Sequence, residues 1–359
     1  VGRGRRAARR SGAGVTAAEG TTGPRLEGAP PTAEGASPYS RSATPYGAPP
    51  RPSSRRRRII LRIVQAVIVA ATVYFLAAYL VRSWGSIKSF DWEFNVGWLA
   101  ASGAVFLLFY FAQAWFWWLL LRGCGAVSPF WPAASVWGKS ILARYVPGNV
   151  FMFVGRAWMS HAKGLAVERV TAAMVYEQTL GVCAALLSMA VLFPFWQYKP
   201  GLTALSLLAI PVLVALMHPR VFGPLAGRAL RLLHRPPLEV TLGFGAVLGI
   251  LCLFTVGWLI AGTGAWLLAR AITGLGVDAL PLVIVANSLA YVAGMIAFFI
   301  PSGIGVREAV LTASLSKELP GGVALTWALL LRVWVTLVEL VFVGLVVGIE
   351  VLVRRRSEA

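Results

Sequence analysis

Residues 242–269 read LGFGAVLGILCLFTVGWLIAGTGAWLLA, 28 residues without one charged side chain. In lipid every backbone N–H and C=O must be satisfied within the chain, and for a continuous apolar run that means an α-helix. At 1.5 Å of rise per residue, roughly 20 such residues cross the hydrocarbon core. The same ruler marks spans at about 59–81, 96–121, 170–195, 280–300 and 323–351. Leu202–Met217, between Pro200 and His218, is shorter and spans with help from interfacial flanks. Seven crossings strand Arg354, Arg355 and Arg356 on the face opposite the N-terminus. An eighth, over 303–319, repairs this, and a re-entrant hairpin there is its rival. The expectation is an all-α polytopic membrane protein of about eight transmembrane helices, with broken or re-entrant elements near 131–165 and 298–319.

Composition points the same way. The chain is 58% hydrophobic and 13% charged, with mean hydropathy +0.72, where a soluble domain carries about 25% charged residues. A net charge of +19 spread over a soluble surface would suggest nucleic acid. Here it gathers at the ends, because residues 1–58 hold twelve Arg against three Glu. That segment has too few large aliphatic side chains to offset the entropy of ordering, and is expected as a disordered basic tail. Residues 59–352 form the membrane domain and 353–359 a second basic tail. The positive-inside rule puts both termini on the cytoplasmic face of a bacterial inner membrane. The loop carrying Asp91 and Glu93 then lies outside and the basic stretch Arg122 to Arg169 inside. The chain begins on Val1, which fits a fragment or a GTG start codon equally.

Cys124, Cys183 and Cys252 lack the paired spacing of a metal site or disulfide framework and read as packing residues. Gly245 and Gly249 form a G-x-x-x-G pair, which reads as helix packing. No cofactor and no metal is expected. No G-x-x-x-x-G-K-[ST] loop is present, so any transport runs downhill or on an ion gradient.

Residues 131–165, WPAASVWGKSILARYVPGNVFMFVGRAWMSHAKGL, are amphipathic in both halves and broken at Pro147-Gly148-Asn149. Broken helices within a membrane are tolerated where they line a polar cavity. Lys139, Arg144 and Arg156 on such an element suit anionic headgroups; a helix pair lying flat on an anionic leaflet is an equal reading. A second break, Pro301-Ser302-Gly303-Ile304-Gly305-Val306-Arg307-Glu308, combines close backbone approach at Gly303 and Gly305 with the positive end of the next helix. Arg307 and Glu308 are adjacent and cannot face each other, so each needs another partner. Glu177, Arg332 and Glu339 lie within spans, where ionisable groups face the bundle interior and pair. Arg332 and Glu339, seven residues apart, could line one cavity, or all three acids and bases could form a structural lattice.

Three of these motifs, in this order, resemble a known family. Arg144-Tyr145-Val146-Pro147-Gly148-Asn149 with Gly155-Arg156, Gly164-Leu165 and Glu168 is one. Pro301 to Ala309 and Leu331-Arg332-Val333-Trp334 before Glu339 are the others. Together they are similar to the membrane domain of bacterial lysylphosphatidylglycerol synthases and their stand-alone flippase-like relatives. Ser302 and Ile304 replace the family's commoner Gly and Leu, and Asn149 a frequent Gly. The resemblance, over roughly 59–352, implies a domain that translocates aminoacylated phospholipid or glycolipid between leaflets. With eight residues after the last span, the soluble synthase domain is not expected here, and aminoacyl transfer is not carried over.

The functional expectation is therefore flipping of an anionic or aminoacylated phospholipid or of a polyprenyl-phosphate-linked sugar. Arg144, Arg156 and Arg307 would attract the phosphate, and Glu177, Arg332 and Glu339 would provide polar steps. Asp91-Trp92-Glu93 supports an alternative, a polytopic glycosyltransferase in which the two carboxylates bind metal or act as base. A third reading is an accessory subunit for a separate synthase or glycosyltransferase.

Overall fold

The computed structural model describes residues 81–143, 150–196, 200–232, 242–297 and 303–358, with Tyr74, Ala78 and Tyr79 before them. Among these residues the regular structure is entirely helical. The helices are α1 (Trp84–Lys88), α2 (Val96–Gly123), α3 (Phe130–Leu142), α4 (Val150–His161), α5 (Val167–Trp196), α6 (Pro200–Leu216), α7 (Pro219–Leu232), α8 (Phe244–Thr273), α9 (Leu280–Ile296), α10 (Val306–Leu315) and α11 (Gly321–Glu358). Five are long and apolar enough to cross a membrane: α2, α5, α8, α9 with its preceding 3-10 turn, and α11. A sixth candidate is the pair Leu207–Leu216 and Pro219–Leu225, bent by 71°. The expected first span, 59–81, and the basic tail before it lie almost wholly outside the described residues.

Contacts at the helix ends define two ends of the bundle. At one, Asn95 N–H donates to Ala271 O (2.9 Å), and the Asn95 side chain caps α2 by accepting from Trp98 N–H (3.1 Å). At the other, Leu242 N–H donates to the Tyr176 hydroxyl (3.1 Å) and Arg169 reaches Gly125 O (2.5 Å). α2 and α8 therefore run antiparallel, α5 leaves the Leu242 end, and α9 leaves the Asn95 end. Gly322 of α11 lies against Ser83 and Ile87, so α11 also starts at the Asn95 end.

A short-armed hairpin, α3–α4, and a short return helix, α10, complete the bundle. α3 and α4, of 13 and 12 residues, measure roughly 20 and 18 Å and enter from the Leu242 end. α10 returns the chain from α9 to the Asn95 end, the direction an eighth crossing would take. With 10 residues, or roughly 15 Å, it is half the length such a crossing needs. The turn before it is pinned by backbone contact. Gly303 has φ +63°, and a Cβ there would lie 3.0 Å from Gly294 Cα, so glycine serves both the left-handed conformation and the close approach.

Tight helix contacts fall elsewhere than expected. A Cβ at Gly245 or Gly249 meets nothing within 4 Å, which corrects the packing assigned to that pair. The glycines that let helices meet are Gly262, where a Cβ would sit 2.6 Å from Ile284 Cα, and Gly257 and Gly264, which receive the rings of Phe116 and Phe106. Cys252 likewise is exposed on α8, whereas Cys124 and Cys183 are buried as expected.

Two tests follow. Gly262→Ala forces α8 from α9 and should destabilise the protein by about 1–3 kcal/mol, while Gly249→Ala should be neutral or slightly stabilising; equal thermal stability of the two in detergent would contradict this packing. Burial pushes the Cys124 thiol up to about 11. It should therefore resist maleimide at pH 8 in the folded protein and react only after denaturation.

Candidate functional site

One stripe of α2 faces the interior: Ser102, Phe106, Tyr110, Ala114 and Trp117, at spacings of three and four residues. It carries polar contacts at three levels. Ser102 and Trp117 are about 15 residues apart, roughly 22 Å along the axis at 1.5 Å per residue.

At the level nearest the Asn95 end, the Ser102 hydroxyl donates to Gly264 O (2.8 Å) and accepts from Trp334 Nε1 (3.2 Å). Two residues before Trp334, Arg332 Nη1 pairs with Glu308 Oε1 at 2.5 Å. The other oxygen of Glu308 accepts from Gly305 N–H (2.5 Å), so one carboxylate caps α10 and ties it to α11. The aliphatic stem of Arg307 lies over Gly294.

At the middle level, Tyr110 OH donates to Glu339 Oε2 (3.2 Å), and Glu339 is fully buried. The Tyr110 ring stacks on Phe342, with centroids 5.5 Å apart, and lies 6.5 Å from Trp137.

The level nearest the Leu242 end is built around Arg156, 1% exposed. Its Nη1 pairs with Glu177 Oε2, its Nε donates to Ser140 Oγ (2.8 Å), and its guanidinium lies 4.7 Å over the Trp117 ring. The remaining Glu177 oxygen accepts from Trp137 Nε1 (2.7 Å). Ser140 completes the ring by donating to Trp137 O (2.7 Å). Helix spacing makes this possible: Trp137 and Ser140 are three apart on α3, and Arg156 and Ser160 four apart on the buried face of α4. A charge this deep persists only where its partner and its remaining protons are all engaged.

Lys139 sits at the rim, 3.7 Å from Glu350, which also pairs with Lys163. Arg144, Pro147, Gly148 and Asn149 lie outside the described residues. Of the three residues considered for a lattice, Glu177 pairs with Arg156, Arg332 pairs with Glu308, and Glu339 accepts from Tyr110. Asp91 and Glu93 are exposed, and among the described residues no three His, Cys, Asp or Glu side chains gather as metal ligands.

Sequence reasoning missed Tyr110, Trp117, Trp137, Ser140 and Glu350. Glu350 carried a usable signal, a lone carboxylate in an apolar run. The aromatic residues carried none, since 14 Trp are scattered through the chain and only packing separates these two from the rest.

Removing one member of a buried pair leaves an uncompensated charge, at a cost of about 3–5 kcal/mol. Arg156→Met should accordingly lower the detergent melting temperature sharply, and adding Glu177→Leu should restore most of it. A double variant whose loss equals the sum of the single losses would show that the two side chains do not interact.

No curated protein matches the chain. Over residues 62–344, which take in every side chain of the three levels, the sequence matches the model described as the lysylphosphatidylglycerol synthase TM region, and this multi-pass membrane protein belongs to that family.

Proposed function

We propose that this chain moves a lipid with a charged headgroup between leaflets, either an anionic or aminoacylated phospholipid or a lipid-linked sugar. The observation that carries this reading is the three-level polar ladder, with an Arg–Glu pair toward each end and the Tyr110–Glu339 pair between. Its length, roughly 22 Å, is most of the 30 Å hydrocarbon core that a headgroup must cross. A phosphate passing along it exchanges water for charge-assisted hydrogen bonds from guanidinium and indole donors instead of meeting bare hydrocarbon.

A half-length hairpin, α3–α4, at one end and the half-length helix α10 at the other suit alternating access, in which one element rocks against another around a central site. Family membership supports a lipid as the cargo. The basic runs Arg55 to Arg58 and Arg354 to Arg356 support a cytoplasmic position for both termini in a bacterial inner membrane.

The test is leaflet exchange of fluorescent phospholipid, lysyl-lipid and polyprenyl-phosphate-sugar analogues in liposomes holding the purified protein. One headgroup class is expected to exchange in a protein-dependent way. Arg332→Gln, at a partly exposed position, should slow it about tenfold, equivalent to about 1.4 kcal/mol on the barrier. Rates equal to those of protein-free liposomes for all three classes would reject translocation.

A further inference from the structure

We infer that α7 is an interfacial helix whose outer face docks on the headgroups of an anionic leaflet. The inference stands apart from the translocation reading, because it concerns the surface of the bundle at the Leu242 end and uses no residue of the polar ladder.

The geometry begins at the bend between α6 and α7. α6 has no charged residue, and its exposed stripe is Leu208, Val212 and Leu216, spaced by four, the face a span shows to hydrocarbon. The chain then turns by 71° into α7. His218 fixes the turn. Its Nδ1 accepts from Arg220 N–H (3.3 Å), its carbonyl accepts from Val221 and Phe222 N–H, and its ring lies 4.8 Å from that of Phe244 on α8. A helix that leaves a span at such an angle runs along the membrane surface. α7 has two faces to present there. Phe222 is buried, with its ring 5.0 Å from that of Tyr176 on α5. On the outer face Val221, Leu225 and Arg228 follow at spacings of four and three, all exposed, with exposed Arg220 beside them. Val221 is 41% and Leu225 42% exposed. Water would leave both aliphatic side chains wet, and hydrocarbon would strand the guanidinium groups. The boundary between the two suits both, with the aliphatic groups at acyl level and the arginines at the headgroups.

Charge identifies the occupant. Residues 219–232 contain three Arg and no Asp or Glu. Among the described residues, the same end of the bundle sets Arg122, Lys139, Lys163 and Arg169 against Glu168 and Glu350, so α7 extends a surface already net basic. Basic side chains on an apolar-edged helix are the chemistry that anionic lipid attracts. A second copy of the chain seated on the same face would bring arginine against arginine.

The experiment measures how fast a neutral, bulky polyethylene glycol maleimide reaches a thiol on the outer face of α7. The purified full chain carries Leu225→Cys together with Cys252→Ala, because Cys252 is an exposed native thiol. It is held one chain per nanodisc, in phosphatidylcholine alone or with about 30% phosphatidylglycerol as the anionic lipid. A second chain with Ala162→Cys, exposed at the same end just beyond α4, experiences the same surface potential, so the readout is the ratio of the two labelling rates. Docking should lower the ratio about tenfold in the anionic discs, and about 1 M salt, which shrinks the screening length to roughly 3 Å, should restore it. Arg220→Gln with Arg228→Gln should restore it at low salt. The salt comparison keeps the test decisive even if that double variant does not fold. A ratio equal in the two kinds of disc would overturn the inference, whether the thiol is open in both or shielded by protein in both. So would a lowered ratio that survives salt and both substitutions. Neither result bears on leaflet exchange, and failure of exchange leaves the docking of α7 standing.

Discussion

A charge inside a bundle bathed in lipid has no water to turn to, and this constraint organises the interior of the protein. Arg156 and Glu177 lie on different helices, as do Arg332 and Glu308. Each pair therefore acts as a tertiary fastening as well as a local neutralisation. The first binds the α3–α4 hairpin to α5, and the second binds α10 to α11. Remaining lone pairs and protons go to Trp137, Ser140 and the Gly305 N–H. Such pairs add little net stability over an apolar core, yet they are costly to break singly. Their contribution is to specify which helix meets which, in a setting where lipid tails are as apolar as the side chains and hydrophobic burial discriminates poorly between partners.

Packing then adds the remaining selectivity. Gly262 brings α8 against the backbone of α9, Gly257 and Gly264 receive aromatic rings from α2, and Gly138 admits Phe342 and Val346 of α11 against α3. These contacts hold α2, α8 and α11 in the register that aligns Ser102, Tyr110 and Trp117 with Trp334, Glu339 and Arg156. The polar ladder is thus a product of where small residues fall as much as of where charged ones do.

This explains how much of the molecule could be read from its sequence. Apolar run length gave the long helices, because it measures a helix against a bilayer of known thickness. The breaks expected at Pro147-Gly148-Asn149 and over 298–308 were signalled by Pro and Gly, and intramembrane ionisable residues stood out by their rarity. Partner choice was not legible. Glu177 and Arg156 are joined by a fold-level meeting of α4 with α5, and nothing in a one-dimensional spacing separates that pairing from one with Arg332. The same limit explains the glycines of α8. Gly245 and Gly249 have the motif spacing but face away from the bundle, while Gly257, Gly262 and Gly264 face inward, a difference set by helix rotation.

The two charged levels are not equivalent, and the difference bears on how a headgroup would travel. The Arg156 side chain is 1% exposed, whereas that of Arg332 is 24% exposed. The structure therefore holds the Arg156 level shut and leaves the Arg332 level partly open. Arg156 lies between the α3–α4 hairpin and α5, and the hairpin has further contacts at its rim and along α11. Lys139 in the last turn of α3 and Lys163 just beyond α4 bond the same Glu350. At the rim these contacts are solvated and cheap to rearrange. The inner contact of α3 with α11 runs over Gly138, where Phe342 and Val346 of α11 seat against the helix. Among the described residues, both arms of the hairpin are fastened inside to one carboxylate of α5, α4 through the Arg156–Glu177 pair and α3 through the Trp137 hydrogen bond. Parting the hairpin from α5 therefore means breaking both contacts to Glu177 together, and the buried carboxylate couples the two arms to one helix more firmly than the solvated rim contacts couple them to α11.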